Sequence, residues 1–275
     1  MTRVLITNDD GIAAPGIRRL AAAAVEHGLE VVVAAPLEES SGISAAMTAV
    51  VDEGRVMIER RALRDVDSVP AFAVGASPAY IVLLGTLGAF GPSPDLVLSG
   101  INRGANAGNA VLHSGTVGAT LTAASAGVRA MAVSLDVLTP AAASAATGGA
   151  AIAAIDAVDD EARNWDTAAD LAGRLFAALT SMPAGTVLNL NVPDAPAGEV
   201  RGIRRAELAR FGQVQITIAE ATAGYVRTSV QQSEFEPDPG TDLAYLADGW
   251  ATVTPIRTVS TADTVELDLP EPPPL

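Results

Sequence analysis

The stretch Val4-Leu5-Ile6-Thr7-Asn8-Asp9-Asp10-Gly11, continued through Pro15 and His27-Gly28 to Val31-Val32-Val33-Ala34, decides the fold. Three consecutive apolar, mostly β-branched residues read as a short buried strand, and Asn8-Asp9-Asp10-Gly11 reads as a turn. Pro15 stands where a first helical residue belongs, because its fixed φ suits that position and its missing N–H is not needed there. The pattern predicts a helix through Leu20 and Ala24 to His27, with Gly28 in the stop position. Val31 to Ala34 is the second strand. Strand, helix and strand in this order imply a right-handed parallel pair.

The same alternation runs outward from this unit. The loop from Pro36 to Ser44 is polar and long for an α/β connection, a mark of function. Segments 47–60 and 69–74 read as strands, the first as part of a hairpin. Pro78 opens a helix predicted over Ala79 to Phe90, and Leu96-Val97-Leu98 is a buried strand leading into Ser99-Gly100-Ile101-Asn102. A helix is predicted from Ser114-Gly115-Thr116, then a strand at Met131 to Ser134. Leu171, Leu175 and Leu179 form one stripe of a helix predicted over Trp165 to Leu179. Val187 to Pro193 is a strand, and beyond residue 200 the pattern turns to β at Val214 to Ile218, Tyr225 to Val230 and Trp250 to Pro255. The Ala/Ser/Thr/Gly-rich stretch 139–150 reads as a loose loop or weak helix start, and Pro270 to Leu275 as a frayed tail. The expected division is a catalytic core over 1–193 and a β-rich extension over 194–275.

Composition narrows the chemistry. The chain has 275 residues, room for one large or two small domains at about 150 residues each. Its net charge of −15 argues against a nucleic-acid polymer as partner, since counterion-release binding needs clustered cations. Small anions remain admissible where a bound cation supplies positive charge. There is no cysteine, which removes disulfides, thiolate metal sites and thiol nucleophiles. There is also no lysine, which removes Schiff-base chemistry and lysine-dependent P-loops. Only His27 and His113 exist as imidazoles. No apolar stretch reads as a signal peptide or bilayer span, so a cytoplasmic protein with no membrane partner is expected.

In open parallel sheets, ligands bind beyond the carboxyl ends of strands, near a topological switch point. Three polar clusters fall at such ends: Asp9-Asp10, Ser40-Ser41-Gly42 and Ser99-Gly100-Ile101-Asn102. Hard oxygen donors from three loops suit Mg²⁺ or Mn²⁺ better than zinc. Adjacent carboxylates repel unless a cation relieves them, although an Asx turn with a helix-terminal charge also explains the pair. Free amides and hydroxyls at Ser114-Gly115-Thr116 would form an anion site at a helix start; ordinary capping is the alternative. His113 reads as a wall residue or as an acid protonating the leaving alkoxide. Arg103 reads as a phosphate contact or as surface charge, and His27 as a favourable charge at a helix end.

Taken together these residues carry a resemblance. Val4 to Ile12 with Ala14-Pro15-Gly16-Ile17 closely resembles the opening of the SurE family, metal-dependent nucleoside monophosphate phosphatases. Further blocks match in order: Pro36 through Ser41-Gly42-Ile43-Ser44, Pro94 to Asn102, and Ser114 to Val117. Leu188 to Pro193, Gly240-Thr241-Asp242 and Val253-Thr254-Pro255 also look like the family's. The resemblance implies a Rossmann-like, mostly parallel α/β sheet with flanking helices and a β-rich C-terminal extension that builds homodimers or homotetramers. It implies one divalent metal ion, Mg²⁺ or Mn²⁺, on Asp9, Asp10, Ser41 and Asn102, with Asp9 and Asp10 catalytic. Asn102, Gly42, Ser114, Gly115 and Thr116 would hold the phosphate of a nucleoside monophosphate, 5′ or 3′.

The chain also departs from the pattern. Ala76-Ser77-Pro78-Ala79-Tyr80-Ile81 replaces the family's Gly-Thr-Pro-x-Asp-Cys, Thr122 stands where glutamate is usual, and His113 where tyrosine is common. These departures motivate an alternative from another class, a metal and nucleotide binder whose catalysis is weakened.

Overall fold

The computed structural model describes residues 1–39, 44–138, 158–211, 214–222, 224–232 and 236–261. The stretch 139–150 and the tail 270–275 lie outside them. Thirteen strands run in chain order among the described residues: β1 (Arg3–Thr7), β2 (Glu30–Pro36), β3 (Val51–Asp52), β4 (Arg55–Val56), β5 (Ile58–Arg61), β6 (Ala71–Val74), β7 (Leu96–Arg103), β8 (Arg129–Asp136), β9 (Val187–Pro193), β10 (Ile203–Arg205), β11 (Val214–Ala221), β12 (Val226–Gln232) and β13 (Ala251–Ile256). The α-helices are α1 (Pro15–Glu26), α2 (Pro78–Thr86), α3 (Gly115–Ser125), α4 (Trp165–Ser181) and α5 (Asp242–Ala247).

Nine strands make one sheet in the order β10-β13-β9-β8-β7-β1-β2-β6-β5. Only β13 against β9 and β6 against β5 run antiparallel. The mostly parallel α/β sheet expected from the sequence is therefore observed. Strand alternation explains the two layers. Val4 and Ile6 of β1 enter one core with Ile17 and Leu20 of α1 and Leu171, Phe176 and Leu179 of α4. Leu5 points the other way, into a smaller core with Ile81 and Val82 of α2 and Ala119 and Ala123 of α3. Successive strand residues face opposite sides, so a run apolar on both faces demands helices on both.

Sequence and structure differ in several short elements and element ends. Helix α2 stops at Thr86 rather than Phe90: the Gly88 N–H bonds Gly85 and Ala89 bonds Leu84, a tight turn that closes the helix early. Segment 47–60 is broken into the short β3–β4 pair and β5, and β5 forms a hairpin with β6 at the edge of the main sheet, in line with the expected part of a hairpin. Helix α5 was not anticipated, because six residues are too few to display a helical period.

The topology places the site. The chain proceeds from β1 outward through β2 to β6, then returns to lay β7 on the other side of β1. That reversal leaves a crevice between the carboxyl ends of β1 and β7, where Thr7 pairs with Ser99.

Candidate metal and phosphate site

Asp9 and Asp10 follow β1 directly, at the reversal. Asp9 is 5 % exposed. Its Oδ1 accepts a hydrogen bond of 2.5 Å from the Thr116 hydroxyl at the start of α3. Gly115 lies so close that a Cβ there would sit 2.7 Å from Asp9 Oδ2, so only glycine admits the carboxylate. Asp10 turns the other way and its Oδ2 accepts the Arg103 N–H of β7 at 3.3 Å. One carboxylate is thus moored to a helix start and the other to the neighbouring strand.

Asn102 completes the crevice from β7. Its Nδ2 donates to Gly104 O at 2.7 Å, so Oδ1 is the atom of the amide that could ligate an ion. The strand deforms here: pairing of β7 with β8 slips between Ser99 and Asn102. Gly100 has φ +132°, and a Cβ on it would lie 2.2 Å from Val133 O, so the slip requires glycine.

The electrostatics match a cation. Burial raises the Asp9 carboxyl above its ordinary value, with the Thr116 hydrogen bonds pulling back. Burial, then the Asp9 charge, pushes Asp10 up to about 7, with Glu39 and Asp160 adding in the same direction. A buried and a half-buried carboxylate that resist ionising together, beside an amide oxygen, form a hard donor set suited to a small divalent cation.

The other expected residues fall around this pair. Ser114 caps α3, accepting the Val117 N–H at 3.0 Å. Thr116 is fully buried and spends its hydroxyl on Asp9. Gly115 sits between them against Asp9. Ser41 and Gly42 lie outside the described residues. His113 ends the 3₁₀ turn Gly108–His113 and is exposed. The Arg103 side chain is paired with Asp160 at 3.0 Å, while its backbone serves Asp10. His27 follows α1 and packs edge-on against Phe176, with Nδ1 2.8 Å from Ala23 O.

Sequence reading missed the support beneath the loop that leads to Ser114. Asn106 is clamped from below: its N–H donates to Asn191 Oδ1 at 2.8 Å, its carbonyl accepts from Asn189 and Asn191, and its amide reaches Ser134. Asp242 is fully buried at the start of α5, and its carboxylate accepts the N–H groups of Gly108, Ala209 and Leu243 at 2.8–2.9 Å. A readable signal existed in Asn189-Leu190-Asn191: amides two apart within an apolar strand share one face and need buried partners.

A mostly parallel α/β sheet with an acidic, oxygen-lined crevice at its reversal is a Rossmann-like architecture whose crevice suits a divalent cation. The comparisons with known proteins agree. A profile described as Survival protein SurE matches residues 4–216. A protein of Yersinia pseudotuberculosis serotype O:1b named 5'/3'-nucleotidase SurE is 33 % identical over 271 residues, covering 97 % of this chain and 94 % of the relative. One of the same name from Edwardsiella ictaluri is 34 % identical, covering 94 % of this chain and 91 % of the relative. The crystal structure of the SurE protein from Aquifex aeolicus superposes with a TM-score of 0.70 at 26 % identity, covering 94 % of this chain and 95 % of that one. This chain belongs to the SurE family.

Proposed function

We propose that this protein is a divalent-metal-dependent phosphatase that hydrolyses nucleoside monophosphates, a 5′- and 3′-nucleotidase. The observation that carries this reading is the Asp9–Asp10 pair at the sheet's reversal, with Asp9 buried against Thr116 and Asp10 bound to the Arg103 N–H. Asp9, Asp10, Asn102 and Ser41 would hold the ion, with Mg²⁺ or Mn²⁺ favoured by the all-oxygen donor set. A bound divalent cation supplies neutralisation of phosphoryl charge and a lowered pKa for the attacking water.

The chain's own groups do the rest. Asp10 or Asp9, at the ion, would accept the proton that the attacking water gives up. Gly115 at the start of α3 offers a backbone N–H and a favourable dipole to phosphoryl oxygens, with the Gly42 amide assigned the same task. The Ser114 hydroxyl orders that turn by capping it. Asn102 closes the remaining side.

The alternative of a weakened binder finds no support in the geometry. Tyr80 lies in α2 with its N–H on Ser77, and the Thr122 hydroxyl bonds Gly118 O inside α3. Neither departure touches the carboxylate pair. The β11–β12 hairpin pairs with itself rather than with the main sheet and exposes Ile218, Tyr225 and Val226. That supports the 194–275 stretch as an oligomerisation element building homodimers or homotetramers. Among the described residues no helix is long and apolar enough to cross a membrane. The test is phosphate release from a panel of 5′- and 3′-nucleoside monophosphates with Mg²⁺ or Mn²⁺. Turnover of at least one is expected, and none from any member would reject the reading.

A further inference from the structure

The 3₁₀ turn Asp160–Ala162 stands just ahead of α4 and is tied to α1, β7, α4 and the end of β9. Glu161 pairs with Arg18 of α1, a buried guanidinium, and with Arg64 at 3.1 Å. Asp160 carries two guanidinium groups on one oxygen: its Oδ1 lies 2.9 Å from Arg163 Nε and 3.0 Å from Arg103 Nε. Arg163 is buried and reaches on to Asp194, just past β9, at 3.0 Å. The Trp165 indole N–H donates to the Asp160 carbonyl, and the Asp159 carboxylate accepts the Glu161 N–H at 3.0 Å.

Arg163, Trp165 and Asp159 already hold the turn, so the Arg103 arm serves the other partner. A partly exposed ion pair adds little to stability, and its value here is positional. Arg103 is the last residue of β7, and its N–H reaches Asp10 Oδ2 at 3.3 Å. That is at the long edge of the usual range of about 2.7–3.2 Å, so a small shift of this peptide breaks the bond. The strand is irregular on both sides of it. Pairing with β8 slips between Ser99 and Asn102, and Gly104 turns the chain at φ +113°. Between these irregularities the backbone is held by the register pairs Asn102–Ser134 and Arg103–Leu135. The side-chain arm to Asp160 is a further hold on the same peptide.

We propose that Asp160 is a positioning residue: by holding the Arg103 side chain it fixes the Arg103 peptide, and through that N–H the orientation of Asp10 toward the cation. Asp160 touches neither the ion nor the substrate. It lies outside every block that carries the resemblance to the SurE family, so the tether is no part of the shared ligand set. The inference rests on the reading of Asp10 as a cation ligand, while the tether itself is measurable without metal.

The experiment uses the full chain. Amide hydrogen exchange is followed by NMR in the metal-free protein, and Mn²⁺ binding by the paramagnetic resonance of the free ion. Asp160→Ala cuts the tether at one end. Arg103→Met cuts it at the other and leaves the Asp160–Arg163 pair in place, which decides the matter should Asp160→Ala fail to fold. In each variant the amide at position 103 should exchange at least about tenfold faster, with the amides of β8 and β9 unchanged. Mn²⁺ affinity should fall by about tenfold, within the ~10–100-fold typical of outer partners of metal ligands. The double variant should lose no more than either single one, because both cut one link. Asp160→Glu, which keeps the carboxylate on a longer arm, should restore most of the affinity. Unchanged exchange at position 103, or Mn²⁺ losses that multiply in the double variant, would overturn the proposal. So would opposite shifts, weaker binding in Asp160→Ala and tighter in Arg103→Met, since a bare charge effect changes sign between them. Faster exchange at position 103 in both variants, with no Mn²⁺ bound by the parent, would reject the metal reading of the site and leave the tether standing.

Discussion

Thr116 donates its hydroxyl to Asp9 Oδ1 at 2.5 Å and is itself fully buried, so the start of α3 fixes the carboxylate at the end of β1. Thr116→Val keeps shape and removes this bond. Outer partners of metal ligands typically account for about 10–100-fold in metal affinity or activity. Titrating activity against Mn²⁺ should show the half-saturating concentration rise within that range, with Thr116→Ser restoring most of it. An unchanged metal requirement in Thr116→Val would detach this residue from the site.

Asp10 ties protonation to stability in the chelated protein. Its folded value of about 7 lies above the ordinary 3.8, so the folded state binds the proton more tightly than the unfolded chain. Stability from this group is complete below the unfolded value and is lost as pH rises through the folded one. Thermal melts without metal should show Tm falling across that window. Asp10→Asn should flatten the fall and be the more stable protein at its upper end. Saturating Mn²⁺ at about 100 times Kd should stabilise the parent by ~2.7 kcal/mol and leave Asp10→Asn nearly unmoved. A parent and variant with parallel pH profiles would contradict the repulsive pair.

Asp242 holds three buried N–H groups, two of them on the loops around Gly108 and Ala209. Asp242→Ala leaves those donors without a partner, and each such buried group costs about 1–3 kcal/mol. A loss of roughly 3 kcal/mol in urea unfolding is expected, accompanied by faster hydrogen exchange at Gly108. A variant as stable as the parent would mean that water replaces the carboxylate without penalty.

His113 is exposed at the end of its 3₁₀ turn, two residues before Gly115. A general acid contributes about 10²–10⁴-fold to a rate, whereas a wall residue contributes mainly contact. His113→Tyr should retain substantial kcat and alter KM more. A kcat loss of two orders, together with loss of one limb of the pH profile, would make His113 the acid.

The opening strand-turn-helix-strand unit was legible because each signal agreed with the next: apolar Val4 to Ile6, Pro15 at the helix start, Gly28 at its end. The strand-end rule then drew attention to Asp9, Asp10 and Asn102 before any coordinate was known. What stayed hidden depends on distant pairings. Nothing local in Thr116 says that its hydroxyl meets a carboxylate 107 residues away. Asp242 sits 134 residues from Gly108, and its helix is too short to display a period.

The central claim is that Asp9 and Asp10 hold a divalent cation needed for phosphomonoester hydrolysis. Its most direct measurement is phosphate release from a nucleoside monophosphate by exhaustively chelated protein, before and after Mg²⁺ or Mn²⁺ is restored, in the parent and in Asp9→Asn. The account predicts negligible release when chelated, recovery on adding either ion, and no recovery in Asp9→Asn. Full activity in the chelated parent, or near-normal kcat in Asp9→Asn at ordinary metal concentration, would contradict it.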